Sequence, residues 1–293
     1  MCTTCGCSTG AKATVVDHDH DDGHTHDHAH EHDHGHEDDH AHEDDHAHEH
    51  DHAPGHDDAH ERGVPHVHAE PSPRMMVLEQ EVLSKNNQLA ARNRAFFAGR
   101  EVVALNLMSS PGAGKTTLLE RTIRMLGREV ALSVIEGDQE TVRDAERIRA
   151  AGSRAVQINT GSGCHLDADM VAKGLRALDP PHRSLLFIEN VGNLVCPALF
   201  DLGERAKVVI ASVTEGEDKP LKYPHIFRAC EVMVLNKIDL LPHLEFDSER
   251  CIEFARRVNP KLRIFRVSAA RGDGLDEWCG WLREQLQQRA QAG

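Results

Sequence analysis

No run of about 18 apolar residues occurs anywhere in this 293-residue chain, which excludes a membrane-spanning helix. A basic-then-apolar leader is missing as well, so a cytoplasmic protein is expected. Its eight cysteines then read as reduced ligands or core residues rather than disulfides. Bases are nearly absent from one end: of 33 Lys and Arg, only Lys12 and Arg62 precede Arg74, whereas 19 of the 48 acids do. The net charge of −15 therefore belongs to that end, and a nearly neutral body gives no footprint for nucleic acid. Apolar bulk is the third absence. Residues 17–68, built from Asp-His, Ala-His and Glu-His pairs, hold almost nothing apolar beyond Ala and Val. Such a segment cannot offset the entropy of ordering, and disorder is expected across 17–73. What remains, 74–293, suits one α/β domain.

Within that domain, apolar runs alternate with helical patterns. Strands are predicted near 102–109, 130–136, 154–158, 184–190, 206–213, 231–236 and 262–267. Helices are predicted from Met75 and near 116–126, 139–151, 167–178, 245–257 and 275–290. This alternation implies a mostly parallel sheet flanked by helices. The first domain strand runs into LNLMSSPGAGKTT, Leu105 to Thr117, which ends at a helix start. In such a loop the backbone N–H groups of Ser110, Gly112, Ala113, Gly114 and Thr117 can cradle phosphates. Lys115 reaches the β- and γ-phosphates, and the Thr116 hydroxyl is a magnesium ligand. The general pattern wants Gly six positions before the lysine, where this chain has Ser109.

A second apolar run, VMVLN, delivers Asn236-Lys237-Ile238-Asp239. A carboxylate at Asp239 accepts two hydrogen bonds from guanine, and adenine lacks that donor pair. Lys237 can lay its stem over the base, while Asn236 can tie this loop to the phosphate loop. The backbone of Ser268 and Ala269, in VSAA, can meet the guanine oxygen. GTP is thus the expected nucleotide. Two acids lie between these loops. Asp138, in IEGDQET, can hold magnesium, orient water or cap the next helix. Glu189, ending LLFIEN, can reach the magnesium shell or form an ion pair, and Gly192 can offer its amide to the γ-phosphate. With Lys115 and Thr116, these two acids are the candidate catalytic set. No glutamine declares itself as the water-positioning group of fast GTPases, so slow hydrolysis is expected.

Soft-metal chemistry appears three times. MCTTCGC places Cys2, Cys5 and Cys7 within six residues, a reduced trio suited to nickel or zinc, in a Cys-rich segment 1–16. The next segment holds 19 of the 23 histidines, implying many weakly ordered metal sites or a solvating spacer. Inside the domain, Cys164-His165 precedes a helix and Cys196 lies four residues past Gly192. Three ligands leave a tetrahedral or square-planar site incomplete, and a second copy of the chain can finish it. Cys230, Cys251 and Cys279 lack His neighbours and read as core.

MCTTCGC, the His-rich insert, SSPGAGKTT, EGDQET, ENVGNLVCP, EGEDKPLKYP and NKID together resemble the HypB family, GTPases of the SIMIBI class that help insert nickel into NiFe-hydrogenase, in its His-rich nickel-storing form. That family carries the same departure as Ser109. The resemblance implies metal binding at Cys164, His165 and Cys196, nucleotide binding from Ser109 to Thr117, and a GTP-dependent homodimer with metal at its interface. It also implies as partners a HypA-type nickel chaperone, the SlyD isomerase and the hydrogenase large-subunit precursor. The urease GTPases of the UreG family share the fold class but carry Cys-Pro-His, whereas Cys164 is followed directly by His165. A nickel buffer with a vestigial GTPase and a nucleotide-dependent scaffold are rival functions, and the intact Lys115, Thr116 and Asp239 speak against the first.

Overall fold

The computed structural model describes residues 14–16, 73–138, 143–161 and 163–292. Cys2, Cys5, Cys7 and the His-rich segment, with its expected disorder, lie outside these residues. Strand β1 (Thr14–Val16) is followed by helix α1 (Pro73–Gly99), β2 (Val103–Ser109), α2 (Lys115–Leu126), β3 (Leu132–Asp138), α3 (Arg143–Ala150), β4 (Arg154–Asn159) and α4 (Ala168–Leu178). The second half contains β5 (Leu185–Glu189), β6 (Ala206–Ser212), the short α5 (Lys219–Lys222) and α6 (Pro224–Ala229), β7 (Val232–Asn236), α7 (Ser248–Val258), β8 (Arg263–Arg266) and α8 (Leu275–Ala292).

One sheet runs β1-β4-β3-β5-β2-β6-β7-β8. Every pair is parallel except β1 with β4. The chain moves from β2 to one side and then, after β5, crosses to the other, so a crevice opens at the carboxyl ends of the central strands. Side-chain alternation sorts the strands' residues onto two faces. Leu105, Leu107, Val134, Phe187, Val208 and Val234 pack beneath α2, α3 and α8 through Leu118, Ile148 and Trp278. On the opposite face Ala104, Ile135, Ile158 and Ile188 meet Phe97 of α1 and Val171 and Leu175 of α4. Met108, Val209, Met233 and Leu235 meet Phe227, Cys251 and Ala255.

The predicted doubly covered parallel sheet is present, with local differences. Thr14–Val16 forms an edge strand that three residues in a polar context do not announce. Its order comes from pairing with Gln157, Ile158 and Asn159. Helices α5 and α6 are short turns led by Pro220 and Pro224, too brief for a periodic signal. Helix α7 starts at Ser248 rather than near 245, because Asp247 caps it by accepting from the Arg250 amide. Cys230, Cys251 and Cys279 are buried in the core. Burial raises all three thiols, to about 12 for Cys251 and about 11 for Cys279.

Two contacts fix helices that matter below. Trp278, fully buried on α8, donates its indole N–H to Thr122 of α2 (3.0 Å) and stacks with Trp281. On α1, the buried Asn93 donates to the carbonyls of Ala168 (2.9 Å) and Leu202 (3.1 Å). Asn86 donates to the Asp201 carbonyl (2.7 Å) and accepts from the Ala168 amide (2.9 Å). A helix from the start of the domain thereby pins the start of α4 and the segment before β6. Asn93→Ala strands two buried carbonyls at a cost of about 1–3 kcal/mol each. The expected outcome is a lower urea midpoint with an unchanged m-value, and an unshifted midpoint would show that water replaces the amide.

Candidate nucleotide and metal site

Strand β2 ends at Ser109, and the chain turns through Gly112 and Gly114, both left-handed with φ of 73° and 94°. At Gly114 a Cβ would lie 2.5 Å from the Asn236 amide nitrogen. The absent side chain is what lets Asn236 donate to the Ala113 carbonyl (2.9 Å). The same Asn236 accepts from the Ala269 amide (3.1 Å), so one buried residue joins the phosphate loop, the end of β7 and the turn after β8. Ser109, the departure from the general pattern, accepts from the Lys115 ammonium (3.0 Å) and donates to the Ser110 carbonyl (2.6 Å). Thr117 accepts from Arg147 of α3 (3.3 Å).

Lys237 adopts left-handed backbone (φ 64°) and reaches back to donate to the Gly112 carbonyl (2.7 Å). Ser268 accepts from the Arg271 amide (3.0 Å) and donates to Asp239 (2.6 Å), which aims that half-buried carboxylate. Arg121 of α2 clamps the carbonyls of Ala269 (3.1 Å) and Ala270 (2.6 Å). Sequence reading placed no role on Arg121; an arginine in an amphipathic helix carries no signal of a target 148 residues away. The phosphate-loop and guanine-loop candidates therefore meet at one crevice.

The acids gather on its other side. Thr116 donates to Glu189 (2.9 Å), and both are buried. Burial raises the Glu189 carboxyl, against the pull of Lys115 and the Thr116 hydroxyl. Asp138 closes β3, and residues 139–142 that follow it lie outside the described residues. Glu136, two residues earlier and 2 % exposed, faces the same group. Burial, reinforced by Glu189, Asp144 and Asp138 and opposed by Lys115, pushes its carboxyl up to about 9. Sequence reading passed over Glu136 within EGDQET, although its i,i+2 spacing to Asp138 puts both on one strand face.

The loop after β5 carries the third group. A Cβ at Gly192 would lie 3.0 to 3.2 Å from Pro111, so this loop rests on the phosphate loop. Asn190 accepts from the Leu166 amide (3.0 Å) and Asn193 donates to the Cys164 carbonyl (3.3 Å). Cys164, His165 and Cys196 offer ligand atoms all within 4.8 Å of one another, the sole cluster of three or more such residues among the described ones. Cys164 Sγ and His165 Nδ1 are 3.5 Å apart. The imidazole stacks on Phe200 (4.0 Å between centroids), a partner sequence reading missed. Burial lowers the His165 pKa against Asp167, which favours the neutral, ligating ring. Exposed Val195 and Leu199 flank the buried Cys196. Two thiols and an imidazole are soft and borderline donors, suited to nickel or zinc.

Residues 103–266 match the CobW/HypB/UreG nucleotide-binding domain. The hydrogenase maturation factor HypB of Azotobacter vinelandii is 61 % identical over 219 residues, 75 % of this chain and 72 % of that protein. HypB of Rhizobium leguminosarum bv. viciae is 56 % identical over 296 residues, covering 99 % of this chain and 98 % of that one. The crystal structure of HypB from Helicobacter pylori in complex with nickel superposes with a TM-score of 0.65 at 37 % identity, over 70 % of this chain and 96 % of that one. No helix among the described residues is long and apolar enough to cross a membrane. A nucleotide-binding domain across more than half the chain, a relative similar from end to end and a shared P-loop GTPase fold converge: the chain belongs to the HypB family of hydrogenase maturation factors.

Proposed function

We propose that this protein is a cytoplasmic, GTP-hydrolysing nickel metallochaperone that binds and stores nickel and delivers it during NiFe-hydrogenase maturation. In this reading residues 74–293 form the GTPase, 1–16 a Cys-rich nickel or zinc motif centred on Cys2, Cys5 and Cys7, and 17–73 a His-rich store. One observation carries the reading: the five-residue span Glu189–Asn193 contacts both chemistries. Glu189 holds Thr116, Gly192 abuts Pro111, Asn190 holds the Leu166 amide and Asn193 holds the Cys164 carbonyl. A shift of this span toward a γ-phosphate moves Cys196, three residues beyond Asn193, relative to Cys164 and His165.

Magnesium fits the acid side of the crevice. The second carboxylate oxygen of Glu189 is buried without a hydrogen-bond partner, beside the Thr116 hydroxyl. Thr116, Glu189 and Asp138 are the residues to hold the ion, which supplies neutralisation of phosphate charge. Lys115 binds the phosphates, backbone amides from Ser110 to Thr117 orient them, and Asn236, Lys237, Asp239, Ser268 and Ala269 select guanine. Slow intrinsic turnover is part of this reading, because the sequence declares no water-positioning glutamine of the kind fast GTPases carry. The internal metal cluster has three ligands and an apolar rim of Val195 and Leu199, which favours completion by a second copy in a GTP-dependent homodimer. A HypA-type chaperone, SlyD and the hydrogenase large-subunit precursor are the proposed partners.

Three outcomes follow. GTP binds more tightly than ATP, and Asp239→Asn removes about one to two decades of that preference in competition binding, since an unpaired buried group costs about 1–3 kcal/mol. Equal affinity of the unaltered chain for both nucleotides would end the guanine assignment. Calorimetric nickel titration of the full chain and of Cys196→Ala isolates the internal site as their difference. That difference is expected to shift by about fivefold or more between GDP and a non-hydrolysable GTP analogue, with nickel shifting nucleotide affinity by the same factor. An identical difference in both states means the two sites merely share a chain. Deleting residues 17–68 is expected to lower nickel bound per chain and to impair maturation only when nickel is scarce; failure at every nickel level would make the segment a docking element.

A further inference from the structure

Glu136 has no part in the site as proposed, yet its surroundings are those of a ligand. In the register of β3 and β5 its Cα partner is Glu189. Neighbouring strands lie about 4.8 Å apart, so two glutamates on one face at one level stand side by side. That face is the one carrying Val134 and Phe187, packed against Leu118 and Leu119 of α2, so both acids lie on the phosphate-loop side of the sheet. One oxygen of each, Oε2 of Glu136 and Oε2 of Glu189, is buried with no hydrogen-bond partner.

Another buried acid supplies the contrast. Glu204, also buried, accepts from Asn106 (3.2 Å) at one oxygen and from the Leu202 amide (2.7 Å) at the other. That is how a structural carboxyl is satisfied. Glu136 and Glu189 instead present two unsatisfied oxygens in one place, with Lys115 acting on both, Arg147 on Glu189, and Asp144 (for Glu136 also Asp138) adding like charge. Such a pair costs stability unless a cation joins it for part of the working cycle. A magnesium-class ion is held by one or two carboxylates together with substrate phosphates, which matches a pair of acids beside a phosphate cradle. The two glutamates alone do not form a protein-only cage, as the internal cluster of Cys164, His165 and Cys196 nearly does.

We propose that Glu136 is a further cation-binding determinant of the nucleotide site, pairing with Glu189 to set the magnesium dependence of GTP binding. This rests on the GTP site proposed above. The test measures binding of a fluorescent guanine nucleotide across a magnesium chloride titration, for the full chain and for Glu136→Gln and Glu136→Asp. Glu136→Gln is expected to keep magnesium-free nucleotide affinity while raising the magnesium concentration for half-maximal effect by about tenfold, the size of effect seen when groups supporting a metal site are removed. Glu136→Asp keeps the charge on a shorter stem and is expected to fall between the two. Should the glutamine variant not fold, the aspartate variant decides, with a shifted half-saturation supporting the assignment and an unshifted one overturning it. A wild-type half-saturation in Glu136→Gln likewise overturns it and leaves Glu136 a structural acid. If the unaltered chain shows no guanine preference, the GTP reading fails. The magnesium titration with whichever nucleotide binds still judges Glu136 on its own.

Discussion

The side-chain amide of Asn190 is the constraint on which the rest of this structure hangs. Its oxygen accepts from the amides of Leu166 and Val191 (3.0 Å each), and its nitrogen donates to Asn106 in the middle of the central strand (3.2 Å). Asn106 in turn donates to Glu204. A single 1 % exposed residue thus fixes the end of β5, the approach to α4 and the interior of β2 to one another. Buried networks of this kind hold only when each member is satisfied, and here the amide groups all find partners. The strand that leads into the phosphate loop and the segment that follows Cys164 and His165 are both bonded to that one side chain.

The nucleotide side was legible because its chemistry is local. Gly112, Gly114 and Lys115 lie within four residues, and Asn236 to Asp239 within another four, so spacing alone exposes them. Cys164-His165 was legible for the same reason, and Cys196 through its nearness to Gly192. What sequence could not display are side chains whose partners are remote. Asn86 and Asn93 look like the polar side of an amphipathic helix, yet they serve carbonyls 75 to 115 positions away. Phe200 reads as an ordinary apolar residue until it lies under His165. Strand β1 is β-branched throughout but only three residues long, too short a run to register as a strand until it pairs with β4. Glu136 stood inside a quoted motif and was still missed, because a strand's register with a strand fifty residues on is a tertiary fact.

The crevice also illustrates a trade between stability and use. Most of the buried interior is aliphatic and evenly packed on both faces, but the carboxyl ends of β3 and β5 collect acids that burial disfavours in their charged form. A sheet optimised only for stability would place Val or Ile there. The surrounding apolar layers of Val134, Phe187 and Leu118 must offset that cost, and the strain is local to the part of the fold where ligands arrive.

The pairing of Trp278 with Thr122 has an optical consequence. The chain contains two tryptophans, which stand about one helical turn apart on α8 and stack on each other, and Trp278 is hydrogen-bonded to the helix that starts at Lys115. All indole emission from 293 residues therefore originates behind the phosphate loop. The His-rich segment holds no indole to contribute. The molecule carries an intrinsic, label-free probe of α2, in which a change of colour or quantum yield reports on the helix behind the phosphate loop and on no other part of the chain.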